Sequence, residues 1–239
     1  DAGFYRLIPK VVLHIENESE IVTIIKAAQK HNIPLTFRAA GTSLSGQAIS
    51  DSVLVVAGKG WEKYEIATDK KSIKLQPGII GQHVNDILKP FGRKFPPDPA
   101  SIKSAMVGGI ILNNASGMSC GTHENSYKTL MAARLIFTDG TLLDTADENS
   151  RIKFSDSHPE FIQKICKIRD RVKADAELCK LIEKKYRIKN VTGLSINPFI
   201  EFDDAFDIIL HLIVGSEGTL AFLSEATMKT VPDLPCKAS

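Results

Sequence analysis

Apolar positions in the opening 57 residues follow both strand and helix rhythms. Val11 to Ile15 is a short β-rich run. Asn17, with Glu20 three residues on, has the form of a capping box, and Ile21, Ile24, Ile25 and Ala28 then recur at helical spacing. His31-Asn32-Ile33-Pro34 closes that helix, because proline disfavours helical geometry at the residue before it. Leu35 to Phe37 and Val53 to Ala57 read as buried strands, separated by the polar, glycine-bearing stretch Gly41 to Ser50. The predicted order is β-α-β-β.

Ser72 to Gln76 predicts a further strand, Pro77-Gly78 a turn, and Gln82 to Lys89 a helix. Phe95-Pro96-Pro97-Asp98-Pro99 carries too many prolines for a helix or a central strand and reads as a stiff extended loop. Ala105 to Leu112 predicts a short apolar helix. Arg134 to Phe137 and Thr141 to Leu143 flank Asp139-Gly140, a hairpin signal. Residues 158–186 place Phe161, Ile162, Ile165, Ile168, Val172, Leu178, Leu181 and Ile182 in a stripe beneath a charged face. That is an amphipathic helix or helix pair packed on a neighbour, and the interleaved acidic residues argue against a membrane-surface role. The apolar run Ile208 to Val214 leads into Gly215-Ser216-Glu217-Gly218 and another strand pair ending at Val231-Pro232.

Composition narrows the class. With 239 residues, 43% hydrophobic and 24% charged, the chain is a folded globule of one large domain or two small ones. A net charge of +2 spread along the chain gives no electrostatic footprint for nucleic acid. No apolar run approaches the roughly 20 residues of a membrane-spanning helix, and DAGFYRLIPK lacks the order of a signal peptide. Because the chain starts at Asp1, it is expected to be a piece of a longer protein. Cys120, Cys166, Cys179 and Cys236 form no C-x-x-C pair and read as free thiols in a reducing compartment.

Three clusters can carry chemistry: Arg38 to Gly46, Gly108-Gly109 with Asn113 to Gly117, and Gly215 to Gly218. Small residues let a ligand approach the backbone, and successive N–H groups in such loops form anion-binding nests. No G-x-G-x-x-G follows the first strand and no G-x-x-x-x-G-K-[ST] occurs, which argues against a Rossmann domain or a P-loop. Among the histidines, His14, His83 and His211 read as structural; His123, beside Glu124, is the one placed near the second cluster. Trp61 reads as a packing residue.

Four stretches in order carry a resemblance: "RAAGTSLSGQAI", "LQPGIIGQHVNDILKPFGRKFPPDPASIKSAMVGGIILNNASGM", "RLIFTDGTLLDT" and "VGSEGTLAFLSEATMKTVP". On these the chain resembles the PCMH-type FAD-binding domain of the vanillyl-alcohol-oxidase, or FAD-linked oxidase, family. It is similar to the branch holding glycolate oxidase flavin subunits and D-lactate or D-2-hydroxyglutarate dehydrogenases. Residues 158–186 and "SCGTHENSYKTL" look most like the long chains fused to an iron–sulfur portion.

The resemblance implies an α+β fold of two subdomains with non-covalent FAD between them. Residues 1–57 form the first, and 58–232 the second, with a helical insertion at about 145–205. Arg38, Ala39, Ala40, Gly41, Thr42, Ser43, Leu44 and Gly46 would wrap the diphosphate, and Pro97, Asp98 and Ser101 would border the cofactor's second side. Gly108 and Gly109 would admit the dinucleotide closely, with Asn113, Ser116 and Gly117 nearby, and Glu217 and Gly218 would close the pocket. Many relatives have glycine where this chain has Ala39 and Gln47. The first loop contains no histidine for a covalent flavin link, and Cys120 reads as a small buried residue rather than a thiol anchor.

The implied activity is oxidation of a small D-2-hydroxy acid such as D-lactate or glycolate, by hydride transfer to flavin N5. Electrons would pass to an iron–sulfur or quinone acceptor, any iron–sulfur cluster belonging to the parent protein. Catalytic residues are expected in a substrate domain absent from this chain, and no metal ligands are assigned within it. The compartment implied is the cytoplasm, with the parent able to sit peripherally on the inner membrane face. A flavin-linked reductase of the amino-sugar type and a flavin-less binding module are the alternative readings.

Overall fold

The computed structural model describes residues 2–191 and 193–234. Its first elements are β1 (Val11–Ile15), α1 (Glu18–Lys30), β2 (Leu35–Arg38) and β3 (Val53–Ala57), whose strands form a parallel sheet in the order β1-β3-β2. Val53 lies level with both Val11 and Leu35, so β2 and β3 end along one edge of the sheet. The helix begins as its sequence requires: the Asn17 side chain accepts the Glu20 N–H at 3.1 Å. Glu20 returns the bond to the Glu16 N–H (2.7 Å), one residue earlier than a standard capping box. Ile21, Ile25 and Ala28 form the buried face of α1. The chain leaves the helix through Asn32 at φ 52°, a left-handed position asparagine tolerates.

Next come β4 (Tyr64–Ile66), β5 (Ser72–Leu75), α2 (Gly81–Leu88), β6 (Arg93–Lys94), α3 (Val107–Leu112), α4 (Ser126–Thr129), β7 (Leu130–Ile136) and β8 (Leu142–Asp144). Five helices follow, in part under the charged sequence already noted: α5 (Glu148–Ser157), α6 (Pro159–Ala174), α7 (Ala176–Tyr186), α8 (Pro198–Glu201) and α9 (Ala205–Leu212). The chain then re-enters the sheet as β9 (Phe222–Lys229) and ends in β10 (Val231–Pro232). The second sheet is antiparallel, in the order β4-β5-β9-β7-β8, and a separate two-residue ladder joins β10 to β6. The fold is α+β.

The predicted hairpin is β7–β8, turning through Gly140 at φ 83°. The 158–186 stripe is a helix pair broken at Asp175, whose carboxylate caps α7 through the Leu178 N–H (2.9 Å). Only part of that stripe is covered: Ile165 and Ile182 are buried, whereas Ile168 and Leu181 are exposed.

One apolar run that the sequence left unassigned is a helix, and one expectation is corrected. The apolar run 208–214 lies largely in α9, started by Asp204, which accepts the N–H groups of Phe206 (2.8 Å) and Asp207 (3.1 Å). Ile208, Ile209, Leu210 and Ile213 are all buried, and a helix enclosed by protein shows no strand-versus-helix period to read. The expected strand pair after it is one long strand, β9, in the middle of the sheet, followed by β10, which pairs with β6 in a separate ladder. Strand β4 and the turn holding Trp61 carried no sequence signal.

Two apolar cores meet. The larger lies between the antiparallel sheet and helices that include α2, α3 and α9. The smaller joins Ile15, Ile21, Ile25, Val55 and Trp61 to Ile136 and Phe222 of the antiparallel sheet. Trp61 is 1% exposed, and its indole N–H donates to the Ile15 carbonyl at 3.0 Å, so the packing reading holds. Phe222 packs against both Phe37 and Trp61 with ring centroids 5.2 and 5.3 Å away. Such pairs contribute about 0.5–1.5 kcal/mol each beyond burial. Arg134 adds a two-pronged bond to Glu18 (2.6 and 3.0 Å), and Ser224 donates to the same carboxylate at 2.7 Å. These contacts fix α1 against β7 and β9, and with them the space between the two sheets. Cys120, Cys166 and Cys179 are free thiols, while Cys236 lies outside the described residues. Among the described residues no helix is long and apolar enough to cross a membrane.

Candidate cofactor cleft

The carboxyl ends of β2 and β3 open onto a cleft enclosing about 1010 Å³, part of it open to solvent. Parallel strands whose ends share one edge leave a crevice there, where ligands of open α/β sheets bind. The apolar part of its lining comes from Phe37, Ala57, Ile110, Leu112, Ala221, Phe222 and Leu223.

The first wall is the loop after β2, where Arg38, Ala39, Ala40, Gly41, Thr42 and Ser43 line the cleft. Among the described residues, no hydrogen bond takes up the backbone N–H groups of Ala39 to Leu44, and the Arg38 guanidinium has no partner. Backbone donors left unpaired in a folded chain call for water or a ligand. Gly41 sits at φ 70°, and a Cβ there would lie 2.5 Å from Arg38 Nε, because that side chain folds across it. Leu44 is 69% exposed and, like Gly46, stands outside the lining.

The second wall, built on α3, brings in Ser101, Gly108, Gly109 and Asn113. Its paired glycines differ. A Cβ on Gly108 would lie 2.6 Å from the Pro77 side chain, and the Gly108 N–H donates to the Pro77 carbonyl at 2.9 Å. Glycine at 108 is therefore required by packing within the protein. A Cβ on Gly109 would meet no protein atom within 4 Å.

Pro97, Asp98, Ser116 and Gly117 stand outside the lining rather than in it. Asp98 accepts the N–H groups of Gly117 (3.1 Å) and Cys120 (3.3 Å). A Cβ on Gly117 would fall 1.9 Å from the Asp98 carbonyl oxygen. Lys189 caps the carbonyls of Ser116 (2.7 Å) and Gly117 (3.2 Å) from the helical region. Burial pushes the Asp98 carboxyl up, but hydrogen bonds from Ser119, Cys120 and Gly117 outweigh it and hold the group below its usual range. Cys120 is 2% exposed; burial, reinforced by the Asp98 carboxylate, pushes its thiol up. A thiol so held is a poor nucleophile.

The third wall is the loop from α9 to β9. The N–H groups of Gly215 (2.9 Å) and Glu217 (2.8 Å) both donate to the Leu112 carbonyl at the end of α3. Glu217, at φ 55°, and Gly218 line the cleft. His123 is exposed and outside this lining. His211 is a core residue: its Nδ1 meets the Asp207 carbonyl at 2.8 Å, and its ring stacks on Phe202 at 4.2 Å. Burial pushes its imidazole down toward the neutral form. Sequence reasoning missed the apolar lining, Met106 and Gln47; of these only Gln47 left a trace, as a large polar residue in a run of small ones.

Residues 9–146 match the FAD binding domain family. The chain belongs to that family. This FAD binding domain is 28% identical over 249 residues to a D-2-hydroxyglutarate dehydrogenase of Haemophilus influenzae, across 95% of this chain and 23% of the relative. It is 24% identical over 225 residues to a D-lactate dehydrogenase of Archaeoglobus fulgidus, across 94% of this chain and 39% of the relative. The chain thus spans about a quarter of the length of the first relative. Among solved structures it superposes on 6-hydroxy-D-nicotine oxidase from Arthrobacter nicotinovorans with a TM-score of 0.63 at 12% identity, covering 96% of this chain and 38% of that one. An alkyldihydroxyacetonephosphate synthase gives a TM-score of 0.58 at 16% identity, covering 92% and 31%. These structures share the fold.

Proposed function

We propose that this FAD binding domain serves a dehydrogenase that oxidises a small D-2-hydroxy acid, and that the cleft holds the cofactor. The observation that carries the reading is the row of unpaired N–H groups from Ala39 to Leu44 beside the unpaired Arg38 guanidinium. A diphosphate supplies acceptors for such donors, and charge-assisted bonds of this kind contribute about 1.5–3 kcal/mol each. Thr42 adds a hydroxyl donor at the same edge, while the Ser43 hydroxyl is committed to the Gln47 carbonyl oxygen. Gly109 lets the dinucleotide approach α3, and Asn113 and Ser101 offer polar atoms along it. Pro97, Asp98, Ser116 and Gly117 act from behind, setting the position of the second wall. Glu217 and Gly218 close the third side.

When bound, the flavin supplies the hydride-accepting chemistry; the protein binds it, orients it and excludes water. The D-2-hydroxy acid is supported by the names of the relatives, D-2-hydroxyglutarate and D-lactate dehydrogenase. We assign electron transfer onward to an iron–sulfur or quinone acceptor. Unpaired Cys120, Cys166 and Cys179 support placement in the cytoplasm.

The test is a visible absorption spectrum of the purified chain after loading with FAD, before and after denaturation and ultrafiltration. Flavin bands that copurify with the folded protein and pass the filter after unfolding support non-covalent FAD. No flavin uptake would contradict the proposal, and colour retained on the denatured chain would overturn its non-covalent part.

A further inference from the structure

We infer that Gln47 is a positioning residue of the cleft, whose side-chain amide ties the first wall to the third and keeps the loop donors free for the diphosphate. The inference rests on the FAD reading above. Gln47 Nε2 donates to Glu217 Oε1 at 3.1 Å, linking residues 170 positions apart. Its carbonyl oxygen accepts the Ser43 hydroxyl. All three residues line the cleft. Ser43 belongs to the run of unpaired N–H groups, and Glu217 is pinned by its own N–H to the Leu112 carbonyl. A continuous chain of bonds therefore runs from α3 through Glu217 and Gln47 to the first loop.

The chemistry of the bridge selects the residue. Ser43 offers a donor and Glu217 an acceptor, so the middle group must accept on one atom and donate from another. A primary amide does both; a carboxylate has no donor and an ammonium no acceptor. The bridge also settles an electrostatic competition. Among the described residues, Glu217 is the one carboxylate in the cleft lining and Arg38 the one cation. Left loose, the Glu217 carboxylate is an anion in the same lining that can compete with the ligand for the unpaired loop N–H groups and Arg38. Held by the Gln47 amide, it leaves them to the ligand, and ordering the loop beforehand lowers the entropy lost on binding.

The test compares the wild-type chain with Gln47→Gly, Gln47→Glu and the double variant Gln47→Glu/Glu217→Gln. FAD dissociation constants are read from quenching of flavin fluorescence at pH 5 and pH 8, with the urea midpoint of each flavin-free protein alongside. Gln47→Gly is expected to weaken FAD about tenfold with a urea midpoint near wild type. Gln47→Glu faces one carboxylate with another, so it is expected to weaken FAD at pH 8 and to approach wild type at pH 5, where the pair shares a proton. The double variant exchanges amide and carboxylate and keeps every donor matched to an acceptor, so it is expected to bind within about threefold of wild type at both pH values. Equal affinities across the series would overturn the inference, as would a double variant no better than Gln47→Glu. Tighter binding by Gln47→Gly would overturn it too, by showing that the bridge occupies space FAD needs. A wild-type chain that takes up no FAD would instead fail the reading beneath it.

Discussion

The first and second walls of the cleft are both rich in small residues, yet they are built in opposite ways. Along Ala39 to Leu44 the backbone donors are unpaired, and the neighbouring cation, Arg38, has no counter-charge among the described residues. Along the second wall the polar groups are mostly consumed internally. Gly108 bonds to Pro77, Gly117 and Cys120 to Asp98, and the carbonyls of Ser116 and Gly117 to Lys189. One wall leaves its donors open; the other spends its polar groups on bonds within the protein. A glycine in such a cluster does not announce which job it does: Gly41 allows a left-handed turn, whereas Gly108 and Gly117 clear space for Pro77 and Asp98.

The contrast breaks most visibly at Gly117. Gly117→Ala forces a methyl against the Asp98 carbonyl, and overpacking of this kind costs about 3 kcal/mol. For a domain of this size that lowers the melting temperature by about 6–12 °C, measurable by calorimetry. Arg38→Ala should do the reverse, leaving the melting temperature of the flavin-free protein near wild type while weakening FAD about ten- to hundredfold in a fluorescence titration.

Asp98→Asn probes the brace through pH. Because the folded-state pKa of Asp98 lies below its ordinary value of 3.8, its stabilising contribution is present above that value and lost as pH falls through the folded one. The variant should lose roughly 1 kcal/mol near pH 7, after screening by solvent, and the gap to wild type should close below about pH 4 in urea titrations. A smaller stability change than at Gly117 or Asp98, and of opposite sign, is expected at Gly109→Ala. Its methyl meets no protein atom, so helix propensity should raise stability by about 0.5 kcal/mol. In the proposed arrangement the same methyl narrows the cleft and weakens FAD.

Much of this architecture was legible in the sequence because its signals were local. The Asn17 cap, the Pro34 stop and the Asp139-Gly140 turn each act within a few residues, and β1, α1 and the β7–β8 hairpin stand where they were predicted. The run 208–214 was illegible because burial on every side erases the periodicity that separates helix from strand. Within the candidate site, the first loop announced itself by its small residues. The partition between lining and brace did not, because it depends on contacts such as Gly117 with Asp98 and Gly108 with Pro77 that span about 20–30 positions. The bridge from Gln47 to Glu217 spans 170 residues and leaves no local pattern at all.

The central claim is that the unpaired donors of the first wall hold a diphosphate. The most direct test is to titrate the chain with FAD and, separately, with riboflavin, which carries the same ring system and no phosphate. The account expects FAD to bind at least about a hundredfold more tightly, the equivalent of two charge-assisted bonds. It also expects Arg38→Ala to shrink that ratio without changing riboflavin binding. Equal affinity for the two ligands, or a ratio untouched by Arg38→Ala, would contradict it.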